Sequence, residues 1–129
     1  MNWSRIIKLS AFHFVALTLL SMLTTLFIGA DNLDKQAGRD LLLYFNFPSF
    51  IVGSTILTLF AKTQKSKVLL HLLISVIISY VVSTAIVSVL MQTVYISPTW
   101  VIDLPMSIMS ILVAIFIGGY FRGKTRNTT

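Results

Sequence analysis

The sequence predicts an all-α integral membrane protein: a four-helix up-down-up-down bundle with both termini cytoplasmic. Three observations predict it. Four apolar runs are each long enough to cross a hydrocarbon core of about 30 Å, which takes roughly 20 helical residues. The joints between them are short and polar. Lys and Arg gather in alternate joints, as they do where cytoplasmic loops carry the positive charge. Composition agrees, since 56% of the residues are hydrophobic and 11% charged, where ordinary globular chains carry about 25% charged residues. Helices are preferred to strands because a helix satisfies every backbone polar group within its own segment.

The first span covers about residues 9–30. It opens on a basic stretch and ends "FIGAD", but its apolar region of about 22 residues exceeds the 7–15 of a signal-peptide core. It is therefore read as a retained helix. The second span covers about 41–61, the third about 68–96 and the fourth about 104–121. The third is overlong and must tilt or protrude into the headgroups. The joints "DNLDKQAGRD", "KTQKSK" and "SPT" show no linker or second domain, so residues 1–129 read as one membrane domain.

Orientation follows from the basic residues. Arg5 and Lys8, then Lys62, Lys65 and Lys67, then Arg122, Lys124 and Arg126 fall on one side and make 8 of the 10. The other side has Lys35 and Arg39 with all four acids, Asp31, Asp34, Asp40 and Asp103. Aromatic residues mark the boundaries, Trp3 and Tyr120 on the inside and Tyr44, Tyr95 and Trp100 on the outside. The expected location is the bacterial cytoplasmic (inner) membrane, N-in and C-in. Despite a net charge of +6, no nucleic-acid partner is expected, because the basic residues lie in short pieces between apolar runs. Their partners are the bilayer and the anionic lipid headgroups on its cytoplasmic side. The absence of Cys excludes disulfides, thiol nucleophiles and iron–sulfur clusters. No metal and no cofactor are expected.

Small residues recur at helical spacing and predict close helix packing. They are Thr18, Ser21 and Thr25 in the first span, Ser49 and Gly53 in the second, with Ser54 and Thr58 beside them. The third has Ser75, Ser79 and Ser83, and the fourth has Ser110, Ala114 and Gly118. His71 heads the serine stripe of the third span, which raises a hydroxyl-lined path as the alternative. His13, about 10 Å into its span, joins His71 and the serines as an inner-side polar candidate. Tyr80, in mid-span, is expected to make an interhelical hydrogen bond.

The two halves echo each other. Each reads basic residue, His, long helix, outside turn, Asn or Asp two residues before Pro, helix, basic loop: Asn46 with Pro48, Asp103 with Pro105. The echo raises the reading of the bundle as two tandem helical hairpins. Asp103 fits the N-cap of the fourth helix, with Pro105 in its first turn, where a missing N–H costs nothing. Asn46 does not fit that role, because a helix starting at Phe47 is too short to span. Pro48 must lie inside the second helix and free the carbonyl of Tyr44. Asn46 then needs a partner in the outer leaflet. Asn46, Gln92, Tyr95 and Asp103 form the candidate polar cluster, beside kinks at Pro48 and Pro105.

An enzyme is the least supported class, since the acids lie outside and both His inside, where a reacting site needs its groups at one depth. The chain is similar in length and helix number to the small multidrug-resistance transporters, but it lacks their membrane-embedded Glu in the first helix. The expectation is a non-catalytic accessory, regulatory or immunity-type partner of another membrane protein. The alternative is a small oligomeric transporter or channel, for instance a homodimer, with its polar site at the outer end of the bundle.

Overall fold

Asn2 starts the first helix by chemistry written in its side chain. Its Oδ1 accepts the backbone N–H of Arg5 at 3.2 Å, serving one of the donors that a helix start leaves unpaired. In this computed structural model, which describes residues 2–29, 38–97 and 99–126, α1 then runs Trp3–Ile28. Asp31, Asp34 and Lys35 of the first joint lie outside the described residues.

The second span has three parts: α2 (Gly38–Leu41), a π-helical turn (Leu42–Asn46) and α3 (Phe47–Thr63). The π turn ends two residues before Pro48. The N–H of Phe47 reaches back five residues to the carbonyl of Leu42 instead of four, and widening of this kind accommodates a residue with no N–H to give. The expected interruption is therefore a change of register and not a break.

α4 is Val68–Met91, which shortens the expected third span by five residues at its far end. Hydropathy continues past the helix, but hydrogen bonding does not. Gln92 takes the left-handed conformation (φ 52°), its N–H bonds Val89 O at 3.2 Å, and Thr93 N–H bonds Ser88 O at 3.2 Å. This pair of bonds is the Schellman ending of a helix. α5 is Trp100–Arg126, so it starts four residues before the expected position. Asp103 is consequently not the N-cap. It lies in the first turn, its own N–H bonded to Thr99 O at 2.9 Å, and Pro105 falls inside the helix.

Among the described residues, four helices are long and apolar enough to cross a membrane. α3 packs most extensively on α5 and α1 on α4, α1 also meets α3, and α4 touches α3 and α5 lightly. The consecutive pairs of the sequence are thus laid side by side, first span on third and second on fourth.

Burial is confined to one end. The core is Leu9, Leu57, Ala61, Leu72, Ile111 and Ala114, with Ile6 fully buried beside it. Among the described residues, buried positions in α1 stop at His13, begin at Gly53 in α3, stop at Ser79 in α4 and begin at Ser110 in α5. Ser110, Ala114 and Gly118 all lie in this packed half. A methyl group at Gly118 would stand 2.7 Å from Ala61 Cβ and 3.1 Å from the backbone N of Lys62, so α5 and α3 approach there at glycine distance.

Candidate functional site

Where burial stops, the helices part around an open cleft of about 480 Å³. All four spans line it. Asp103, Asn46, Ser97 and Thr99 stand at one end, and His13, Leu57 and Ser110 at the other. The depth follows from helix rise. Gly53, beside the His13 ring, lies seven residues beyond Asn46, or about 10 Å at 1.5 Å per residue. Hydroxyls of Ser21, Ser49, Ser83, Thr84 and Ser107 line the walls, interleaved with the rings of Phe45, Phe50, Tyr80 and Tyr95.

The mouth is organised around Asp103. Asn46 Nδ2 donates to its Oδ1 at 2.6 Å. Ser97 Oγ donates to Oδ2 at 2.8 Å, and Thr99 Oγ1 lies 3.2 and 3.1 Å from the two oxygens. Thr99 has one hydroxyl hydrogen to share, so three hydrogens face the four lone pairs of the carboxylate. Both oxygens act as acceptors, as in an ionised carboxylate. No salt-bridge partner neutralises it among the described residues, and no Lys or Arg lines the cleft there. The matching Asn and Asp of the two halves therefore meet each other.

The remaining members of the expected cluster sit differently. Gln92 is exposed and serves as the left-handed residue that ends α4. Tyr95 lines the cleft, while its backbone N–H is held by Ser88 Oγ at 2.9 Å. Ser97 and Thr99 are the residues that the sequence reading missed. The signal was present in "SPTW", where hydroxyl residues just before a helix are typical start signals.

At the floor, His13 is 8% exposed. Its Nδ1 lies 3.2 Å from Ser79 Oγ, and its Nε2 would stand 3.3 Å from a methyl group placed on Gly53. Because α1 starts at Trp3, His13 is ten residues into the helix, or about 15 Å. It lines the same cleft as Asp103. The serine stripe divides at this level. Ser75 Oγ bonds Ile6 O at 3.4 Å inside the core, Ser79 holds His13, and Ser83 faces the cleft. Tyr80 makes no hydrogen bond through its hydroxyl among the described residues and stands in the cleft wall, 41% exposed.

His71 belongs to the opposite end. Its Nδ1 lies 2.8 Å from Lys67 O, and its Nε2 lies 3.3 Å from the N–H of Asn2. A carbonyl only accepts, so Nδ1 carries the hydrogen and Nε2 accepts. Around it, buried Gln64 joins three helices. Its Oε1 accepts from Arg5 Nη1 at 3.0 Å, its backbone O from Arg122 Nη1 at 2.6 Å, and its Nε2 donates to Ser66 O at 3.1 Å. Arg5 also lies over the Phe60 ring, 5.5 Å from its centre. This knot holds the start of α1 and α4 to the end of α3 and α5. We call it the basic end.

Compared with family models, with curated proteins and with solved structures, the chain matches none.

Proposed function

We propose that this chain is a non-catalytic, multi-pass protein of the bacterial inner membrane that takes a small polar solute into its cleft from the outer side, as a small transporter or channel. In this reading the helices run up-down-up-down, the basic end is cytoplasmic by the positive-inside rule, and anionic headgroups surround it. One observation carries the reading: a cleft of about 480 Å³ with a carboxylate at its mouth and a histidine at its floor. Ligand sites commonly measure about 300–1,000 Å³ and place a few polar groups in an otherwise apolar wall. An intramembrane ionisable group marks a solute path by default, because burying it is costly. A non-catalytic role is supported by the separation of Asp103 from His13 along the cleft. Permeation requires the packed end to open in turn, and a second copy would supply the additional wall.

The accessory, regulatory or immunity-type reading has one observation in its favour. The glycine-distance contact of Gly118 and the knot at Gln64 make the basic end rigid, as suits a part that reports a bound ligand to another membrane protein without passing it on.

One experiment tests the shared premise. The chain contains no Cys, so single substitutions are unique probes. Ser83→Cys and Ser107→Cys are expected to react with a membrane-impermeant cationic thiol reagent applied from the outside, and Ala61→Cys to stay unlabelled. Silence at both cleft positions sinks the solute-path reading. Co-purification in mild detergent separates the two roles, since a stoichiometric second membrane protein supports the accessory reading and a homodimer alone supports transport.

A further inference from the structure

Resting on the solute-cleft reading, we propose that the ligand is a small organic cation, a protonated or quaternary amine, with Asp103 as its counter-charge. Three features of the cleft point to that class. The first is charge. Asp103 is held by Asn46, Ser97 and Thr99, all neutral, which fix its position without cancelling its charge. Among the described lining residues it is the one acid, and none is Lys or Arg. A cleft walled by helices in a bilayer screens that charge far less than water does.

The second feature is the wall. Phe45, Phe50, Tyr80 and Tyr95 bring four aromatic rings into a cleft of about 480 Å³. Rings with a nearby carboxylate are the chemistry that receives alkylammonium groups, each cation–ring contact contributing about 0.5–2 kcal/mol. A metal ion asks for something else. It needs several oxygen or nitrogen ligands converging on one point, and no group of three His, Cys, Asp or Glu side chains converges among the described residues.

The third feature is length and the second polar pole. His13 lies about 10 Å below the mouth by helix rise, with Nδ1 taken up by Ser79 and Nε2 on the cleft side against Gly53. When Nδ1 donates to Ser79 Oγ, Nε2 is an acceptor. The cleft therefore offers a negative pole at the mouth, rings between, and an imidazole nitrogen at the floor. That sequence matches an ammonium head on a short organic body with a hydrogen-bonding group at the far end.

The test uses the full chain in nanodiscs and calorimetric titration with benzyltrimethylammonium chloride at fixed ionic strength. Competitors are choline and its uncharged carbon isostere 3,3-dimethylbutan-1-ol. Saturable binding of one cation per chain is expected, displaced by choline and not by the alcohol. Asp103→Asn keeps the shape and is expected to weaken binding about tenfold or more, the equivalent of about 1.4 kcal/mol. Phe50→Leu, which keeps an apolar side chain and removes a ring, is expected to weaken it about threefold and decides the matter should Asp103→Asn fail to fold. Absence of cation binding, equal displacement by the uncharged isostere, or affinity unchanged in both variants overturns the proposal. So does stoichiometric displacement by sodium chloride alone, which would make the site one for inorganic ions. Thiol labelling of Ser83→Cys and Ser107→Cys reads the cleft independently. Labelling without cation binding would reject the ligand class and keep the solute path.

Discussion

The two ends of this bundle are built from the same kinds of residues and behave as opposites. At the basic end, small residues lie in contact, as where Gly118 meets Ala61 and Lys62, and polar side chains tie helix to helix through Gln64 and His71. At the Asp103 end, Thr18, Ser21, Thr25, Ser49 and Ser83 repeat the small-residue spacing, yet none of them is buried. The difference teaches that a small-residue stripe is a seam only where a second helix presses on it. Lipid tails are as apolar as the side chains, so helices meet through close fit and hydrogen bonds and not by escaping water. Here the fit is made at one end, and the other is left free to enclose a cleft.

The largest effect expected from breaking the comparison is at the core. Leu72→Ala, at a fully buried position, should cost about 2–5 kcal/mol through lost packing and the cavity left behind. Val87→Ala, in the cleft wall, should cost much less. Denaturant unfolding in detergent compares the two, and equal losses would refute a one-ended core. Next comes the pair of adjacent glycines. Gly118→Ala should destabilise by about 1–3 kcal/mol through overpacking. Gly119→Ala, with nothing within 4 Å of its added methyl, should be neutral or slightly stabilising, since Ala suits a helix better than Gly.

Smaller effects sharpen the same line. Asn46→Leu removes a donor from Asp103 and should cost about 1–3 kcal/mol, because the carboxylate loses a charge-assisted bond. Asn46→Gln should recover part of it. Thermal unfolding of both variants checks whether this contact closes the mouth. The smallest effect is expected at Ser54, whose buried hydroxyl has no hydrogen-bond partner among the described residues. Ser54→Ala should change stability by less than about 1 kcal/mol, or increase it, because it removes an unpaired polar atom. A clear loss of stability there would reveal a partner for that hydroxyl.

The four helices were legible because length and apolarity alone determine what can span a bilayer. Their ends were not. Hydropathy carries the third span to residue 96, whereas the left-handed turn at Gln92 ends α4, and no composition scale registers a hydrogen-bond register. The need of Asn46 for a partner was readable from its place before Pro48 inside the second span, and Asp103 stood among the three candidates at its depth. Depth alone puts Gln92 in that cluster, and depth says nothing of which way a side chain faces. His13 and Asp103 read as groups of opposite leaflets, but a cleft reaching mid-helix has both in its lining, one at each end. Cavities belong to packing, and a single sequence carries no direct mark of them.

The π turn has a geometric consequence for the face the second span presents. An α-helix turns about 100° per residue, so positions four apart drift by about 40° at each step. Leu41, Phe45, Ser49, Gly53 and Leu57 are spaced by four, and on a uniform helix the first and last would point about 160° apart. All five line the cleft. A turn that takes in an extra residue delays the rotation and brings the upstream side chains back toward that azimuth. Leu42–Asn46 thus acts as a phase corrector, and its residue count sets which way Leu41 and Phe45 face.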